Sequence, residues 1–380
     1  MTTDDFFSGR RQSSVTRKYV FADRAPEKVH ILRRTAAVTD SVFYTDVLDY
    51  QRSASNLTVL WGTGGVGKSA LLNEIRREFD ERTGNECASS TIAIDYSDHV
   101  NRDFESILIK IRGSLAKLDR RWPAFDLVFS NYWIRKHPGV DLLRFIDGAG
   151  FLDREQREAV IDQLSAVLEI VLGGIGIAGA TYKIFSTLKQ KMSDSRTTKR
   201  LLESCPPFRI LMNEADPDRM LGYMPSVLSY DLEEVRKNKC IRVLCTLDTM
   251  EYIQRASRER GSAEDLASRL VYLMPNVAFV AASRIRFDWA KESGRISLTY
   301  GGPERWPDLR SGGDGQFQME GLEDSYANQL LQESLELGGR PAIPENLRQQ
   351  IVRGAAGLPL HLELSMTWFR DMEAYSPASL

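Results

Sequence analysis

Residues 57–79 read LTVLWGTGGVGKSALLNEIRREF and combine three patterns in a fixed order. Leu57–Trp61 is a short apolar run, which predicts a buried β-strand. The glycine-rich segment Gly62–Ser69 follows directly. After it, apolar side chains recur at the spacing of one helix face, at Leu71, Leu72, Ile75 and Phe79. The stretch therefore predicts a strand, a glycine loop and an amphipathic helix.

The loop Gly62–Ser69, GTGGVGKS, matches the Walker A pattern G-x-x-x-x-G-K-[ST] in full. Glycines allow the backbone to curl around a phosphate with its N–H groups pointing inward, and the helix that follows adds partial positive charge. Lys68 would neutralise the β- and γ-phosphates, and the Ser69 hydroxyl would join a Mg²⁺ shell. The alternative is a glycine-rich turn with a surface lysine. We expect ATP or ADP with Mg²⁺ to contact Gly62, Thr63, Gly64, Gly65, Val66, Gly67, Lys68, Ser69 and Ala70.

Further apolar segments predict the rest of a sheet, at Thr91–Ile94, Cys240–Leu247, Asn276–Ala282 and Phe317–Leu322. Strands that alternate with helical patterns indicate an α/β fold with a parallel sheet covered on both faces. From Glu323 onward the pattern is helical. We therefore expect a flexible leader over residues 1–17, a nucleotide-binding domain over 18–320 and a small all-helical domain over 321–380.

Two acidic residues follow the third predicted strand, Asp248 directly and Glu251 three residues later. A nucleotide hydrolase needs a carboxylate beside the loop to hold Mg²⁺ and usually a second one to orient water. We expect Asp248 to share the ion with Ser69 and Glu251 to act as catalytic base. The same residues also match a helix capping box. Asp95, at the end of the second strand, is the rival of Asp248.

Arg284 follows the fourth predicted strand. A guanidinium at that position can bind the γ-phosphate through paired hydrogen bonds, and Arg286 could do the same. A solvated arginine in a basic loop is the alternative. With Lys68, Asp248 and Glu251, Arg284 completes the expected catalytic set.

The loop, the Asp248 strand, the Ser283-Arg284 strand end and the phrase Gly357-Leu358-Pro359-Leu360 together resemble the signal-transduction ATPases with numerous domains (STAND). The nearest branch is the NB-ARC-like (AP-ATPase) group of apoptosis and plant-resistance ATPases and bacterial regulators. The resemblance covers roughly Tyr19 to Phe369 without the region between the second and third strands.

The resemblance implies two further adenine contacts. Phe21-Ala22-Asp23-Arg24 is similar to a family phrase that lies near the adenine, although Asp23 replaces the usual glycine. Pro359, in the phrase that opens a helix of the small helical (ARC-type) domain, would pack on the adenine. The family's winged-helix and repeat domains would follow Leu380, so we expect a fragment of a longer protein.

By the same resemblance, the expected function is an ATP/ADP switch with slow Mg²⁺-dependent hydrolysis, in bacterial regulation or defence. It implies self-association on activation and an unidentified protein trigger or effector. The alternatives are an ordinary phosphotransferase and a DNA-loading ATPase. A net charge of −2 gives no strong signal for a nucleic-acid partner and speaks against the DNA-loading class. GTP is disfavoured because Asn238-Lys239 continues with Cys240-Ile241 and not with x-Asp.

The predicted helical insertion, about residues 113–207, is longer than this fold requires. It contains aromatic residues, then the apolar glycine-rich run Ala166–Leu188, then a basic stretch. Helical packing or a partner surface is the favoured interpretation. Membrane contact through the run is the less favoured one.

The four cysteines, Cys87, Cys205, Cys240 and Cys245, lack metal-ligand spacing, so we expect reduced core thiols. The polar start of the chain has no stretch typical of a signal peptide. We therefore expect a cytoplasmic protein.

Overall fold

The computed structural model describes residues 24–39, 52–83, 87–119, 121–172, 196–254, 261–291, 298–337 and 343–375. These residues form two compact units. The larger one comprises Arg24–Gly64 and Lys68–Met319, and the smaller one comprises Gly65–Gly67 and the residues from Glu320 onward. The predicted leader, residues 1–17, lies outside the described residues.

A five-stranded sheet forms the centre of the larger unit. Its strands are β1 (Leu57–Trp61), β2 (Ala88–Asp95), β3 (Ile241–Asp248), β4 (Ala278–Ser283) and β5 (Gln316–Gln318). Their order across the sheet is β2-β3-β4-β1-β5, and every neighbouring pair is parallel. The prediction of an α/β fold with a parallel sheet is confirmed.

Strand β2 begins three residues before the predicted Thr91. From Ser90 to Ile94 its side chains alternate between buried and half-buried positions, and its end residues Ala88 and Asp95 are exposed. In the described sheet β2 is an edge strand that pairs only with β3. An apolar run identifies a strand that is buried on both faces and misses the polar start of an edge strand. The ladder extends the strand back to Ala88, which pairs with Ile241.

Helices connect the strands along the chain. Helix α1 (Ala25–Thr39) precedes β1, and α2 (Lys68–Thr83) follows it. Between β2 and β3 lie α3 (Phe104–Leu115), α4 (Pro123–Lys136), α5 (Leu142–Asp147), α6 (Arg154–Leu172), α7 (Arg196–Ser204), α8 (Pro206–Asn213), α9 (Pro217–Tyr223) and α10 (Pro225–Arg236). The remaining helices of this unit are α11 (Glu251–Gln254) and α12 (Ala263–Leu273). Proline opens four of these helices, at the position where its missing N–H costs nothing.

The helices between β2 and β3 share one hydrophobic core with the sheet. Trp122 and Phe129 of this region belong to the same buried cluster as Val59 of β1 and Val243 of β3. Asp231 of α10 accepts hydrogen bonds from the backbone N–H groups of Ala124 and Phe125, at 3.2 and 2.9 Å, and so caps the buried start of α4. The described part of the insertion is therefore built into the larger unit.

The apolar run Ala166–Leu188 enters the described residues only with its first part, which completes α6. Residues 173–188 of the run lie outside them. Within the described helices, none combines the length and the apolar character that a membrane span requires.

The smaller unit contains α13 (Asp324–Leu337), α14 (Glu345–Ala355) and α15 (Pro359–Tyr375). Ala356 and Gly357, with φ of 47° and 73°, end α14 in the left-handed conformation and turn the chain into α15. Gly357 lies so close to Leu322 that a Cβ there would be 2.6 Å from the Leu322 carbonyl oxygen.

The expectation of four reduced cysteines is wrong for one pair. Cys87 directly precedes β2 and Cys240 directly precedes β3, and the in-register ladder brings their Cα atoms to 4.8 Å, where a disulfide joins them. Cys205 and Cys245 are free and buried. Burial raises the pKa of the Cys205 thiol to about 12, so this thiol stays protonated.

The disulfide closes a loop with a sequence separation of 153 residues. Its loss should lower the free energy of unfolding by about 2–4 kcal/mol, because the cross-link restricts the unfolded chain. Thermal unfolding with and without reductant tests this. Reductant should lower the Tm of the wild type to that of Cys87→Ser and should leave the Tm of Cys87→Ser unchanged. Four titratable thiols in the denatured, unreduced wild type would contradict the cross-link.

Candidate functional site

The glycine loop joins the end of β1 to α2, whose first residue is Lys68. Gly65 and Gly67 adopt φ of 83° and 97°, which side-chain-bearing residues rarely do. The Lys68 ammonium folds back over the loop and donates to the carbonyl oxygens of Gly62 and Thr63, both at 2.8 Å. Burial lowers the pKa of Lys68, and the nearby Glu251 carboxylate opposes this shift.

The start of the loop has no room for a side chain. Met319 donates its backbone N–H to the Trp61 carbonyl at 2.7 Å and so continues the pairing of β5 beside β1. A Cβ on Gly62 would then lie 2.5 Å from the Met319 carbonyl oxygen. The first glycine of the pattern is therefore required by packing inside the larger unit.

The two predicted metal ligands lie beside each other. The Ser69 hydroxyl, in the first turn of α2, is near enough to the carboxylate of Asp248 at the end of β3 to lower its pKa. Burial raises the pKa of Asp248, and Ser69 and the N–H of Thr249 offset this shift only in part. Hydroxyl and carboxylate oxygens are ligands that Mg²⁺ prefers, and it usually takes only one or two from the protein, with phosphates and waters completing the shell. The pair fits such an ion.

The described residues hold no group of three or more His, Cys, Asp or Glu side chains that could form a metal site. A Mg²⁺ ion at Ser69 and Asp248 would complete its shell with water and with phosphate oxygens held by the loop.

The predicted catalytic base and the predicted phosphate-binding arginine form an ion pair. Arg284 Nε lies 3.0 Å from Glu251 Oε1, and the Arg284 backbone N–H donates to Oε2 at 3.2 Å. Glu251 is buried, whereas the Arg284 side chain is 58% exposed. A Cβ on Gly64 would lie 3.3 Å from Arg284 Cζ, so the guanidinium lies over the loop.

This pairing could not be found from the sequence positions alone. Strands β3 and β4 are neighbours, and their last residues, Asp248 and Ser283, end at the same edge of the sheet. Residues just beyond neighbouring parallel strands therefore meet. The strand order, and not the spacing along the chain, is the missing information.

Asp95, the rival of Asp248, pairs with it in the β2–β3 register. Its Oδ1 accepts the Ser97 N–H at 2.9 Å and the Thr249 hydroxyl. Burial raises the pKa of Asp95, but the hydrogen bonds from Thr249 and Ser97 outweigh it, and the net shift is downward. Of the two acids, Asp248 is the one whose pKa is lowered by Ser69.

Four further predicted residues are Arg24, Ala70, Arg286 and Pro359. Arg24 is buried at the start of α1 with φ of 95°, and its guanidinium lies 3.4 Å from Glu27. Ala70 is exposed in the first turn of α2. Arg286 donates to the Arg310 carbonyl at 3.4 Å. Pro359 is the first residue of α15 in the smaller unit.

No protein-family model matches this chain, and a search of curated proteins also found no match.

Gly62→Ala should destabilise the larger unit by about 1–3 kcal/mol, because the new methyl group collides with the rigid Met319 carbonyl. Gly150→Ala is the matched control, since a Cβ at that exposed glycine meets no atom within 4 Å. Denaturant titration of both variants measures the difference. Equal stabilities would show that Met319 moves freely and that the loop start is not fixed by β5.

Proposed function

We propose that this chain binds ATP or ADP with Mg²⁺ at Gly62–Ser69 and works as a nucleotide-dependent switch of the STAND, NB-ARC-like type. In this proposal the larger unit is a P-loop nucleotide-binding domain and the smaller unit is its ARC-type helical domain. The observation that carries the proposal is the convergence of Lys68, Ser69 and Asp248 at one end of β1 and β3.

The convergent groups match the parts of a metal–triphosphate complex. An ammonium partly removed from water interacts strongly with phosphate oxygens, because the local dielectric screening is weak. Lys68 now uses the loop carbonyls as acceptors, and a β- or γ-phosphate oxygen would replace them. Ser69 and Asp248 would hold the ion that bridges these phosphates. Their location also agrees with the rule that ligands of open parallel sheets bind outside the carboxyl ends of the strands.

The Arg284–Glu251 pair supports a switch over a fast hydrolase. A base that is occupied by a guanidinium is poorly available to a water molecule. A γ-phosphate would be an alternative anionic partner for Arg284. The Arg284 side chain is exposed, so it can move from Glu251 to the phosphate without disrupting packed core residues. ATP would then release Glu251 for catalysis, whereas ADP would leave the pair closed. Turnover should be slow because Glu251 must exchange its guanidinium partner for a water molecule before each hydrolysis, and the bound nucleotide would be the signal.

We further propose self-association on activation and a protein trigger or effector. We also propose a cytoplasmic location, where the Cys87–Cys240 disulfide would be exposed to reduction. Helical packing remains the favoured role for the run Ala166–Leu188.

Arg284→Ala should weaken ATP binding about 10-fold or more and leave ADP binding nearly unchanged, because its partner in the proposal is the γ-phosphate alone. Arg286→Ala is the control, since that arginine contacts the Arg310 carbonyl and not Glu251. Calorimetric titration with each nucleotide measures both affinities. Equal losses for ATP and ADP would remove the phosphate-sensing role and leave Arg284 as a structural partner of Glu251.

Glu251→Gln should bind ATP like the wild type but hydrolyse it about 10²- to 10⁴-fold more slowly, because glutamine cannot accept the proton of the attacking water. Single-turnover assays separate this step from product release. Unchanged hydrolysis in a variant that still binds ATP would assign Glu251 to the structural pair with Arg284 only.

A further inference from the structure

Three residues other than glycine in the described part of the chain have a positive φ. One of them is Thr249, with φ of 52°. A β-branched residue is rarely found in this conformation, because its Cβ substituents crowd the backbone. Such strain persists only where surrounding contacts hold it, and it is concentrated at functional sites. Thr249 lies directly between Asp248 of β3 and the turn that leads to Glu251.

Contacts from β2 hold the Thr249 side chain. Its hydroxyl donates a hydrogen bond to Asp95 Oδ1 and accepts one from the Ser97 N–H at 2.9 Å. Ser97 also donates to Asp95 Oδ1 at 2.9 Å. Asp95, Ser97 and Thr249 therefore form a closed triangle that anchors the start of the turn to the neighbouring strand.

The backbone of Thr249 holds Asp248 in turn. Its N–H donates to Asp248 Oδ1 at 2.8 Å, and the Ser69 hydroxyl lies beside the same carboxylate. The left-handed φ sets the direction of the peptide plane between residues 248 and 249 relative to the anchored side chain. This direction points the N–H back at Asp248 Oδ1, so one bond orients the carboxylate that faces Ser69.

We propose that Thr249 is a positioning residue for the metal-binding carboxylate of Asp248, and that Asp95 acts on the metal site through Thr249 and not as a ligand. The inference rests on the proposed function, because it needs Mg²⁺ at Ser69 and Asp248. It gives Asp95 a role that the sequence could not distinguish from direct coordination. Outer-shell groups of this kind commonly change metal affinity about 10- to 100-fold.

The test is the Mg²⁺ dependence of ATP binding in Thr249→Val, which keeps the branched shape and removes the hydroxyl. We expect the Mg²⁺ midpoint, the concentration that gives half of the Mg²⁺-dependent gain in ATP affinity, to rise about 10-fold. ATP binding in EDTA should stay unchanged. Thr249→Ser should restore the wild-type value, because serine keeps the hydroxyl. Thr91→Val is the matched control, because it removes another threonine–aspartate hydrogen bond, the one that Thr91 of β2 donates to Asp80 of α2 at 3.0 Å.

A double-mutant cycle separates positioning from coordination. If Asp95 acts through Thr249, Asp95→Ala combined with Thr249→Val should shift the Mg²⁺ midpoint no further than either change alone. Additive shifts would make Asp95 a ligand in its own right and overturn the inference. Should Thr249→Val fail to fold, Asp95→Ala alone reports on the same link, because alanine cannot accept the Thr249 hydroxyl, and a wild-type Mg²⁺ midpoint in Asp95→Ala would count against it.

The inference and the proposed function fail in different ways. A wild type that binds no ATP, with Mg²⁺ or in EDTA, would refute the proposed function itself. A wild type whose ATP binding depends on Mg²⁺, beside a Thr249→Val protein with the same midpoint, would refute only the positioning role.

Discussion

The in-register pairing of β3 with β2 on one side and β4 on the other determines where the polar groups of the site lie. Asp95 and Asp248 are directly opposite in the first ladder, and Leu247 pairs with Ala281 in the second. The carboxyl ends of the strands consequently form one edge. Asp95, Asp248 and Arg284 lie at that edge because each ends or directly follows a strand. The glycine loop lies at the same edge, because β1 pairs with β4.

The contacts at this edge form two linked groups. One orients Asp248 toward Ser69 through Thr249, and the other pairs Glu251 with Arg284 over Gly64. Each group uses one backbone N–H as well as side chains, so the positions of the carboxylates depend on the turn geometry after β3 and β4. A shift of either strand by one residue would separate these partners, because successive side chains in a strand point to opposite faces. The register of β2 on β3 is therefore defined along its whole length. The Cys87–Cys240 disulfide lies before the first ladder pair, and Asp95 lies opposite Asp248 in the last one.

The sequence predicted those features that depend on local pattern. The glycine loop, the strand before it and the helix after it are contiguous, and β1 has the predicted bounds. The parallel sheet followed from the alternation of strands and helices. The partners within the site did not follow, because Glu251 with Arg284 and Asp95 with Thr249 are adjacent only once the strand order is known. The Cys87–Cys240 disulfide was missed for the same reason, since 153 residues separate the two cysteines along the chain.

In the proposed function, Lys68 and its loop bind the phosphates of a nucleotide. Calorimetric titration of the folded protein with ATP and Mg²⁺ measures this binding in the wild type, in Lys68→Ala and in the control Lys291→Ala, whose side chain is 74% exposed. We expect saturable binding by the wild type and by Lys291→Ala, and an affinity lower by about 100-fold in Lys68→Ala, because a charge-assisted contact to phosphate is lost. Wild-type affinity in a folded Lys68→Ala protein, or no binding by the wild type, would contradict the proposed function.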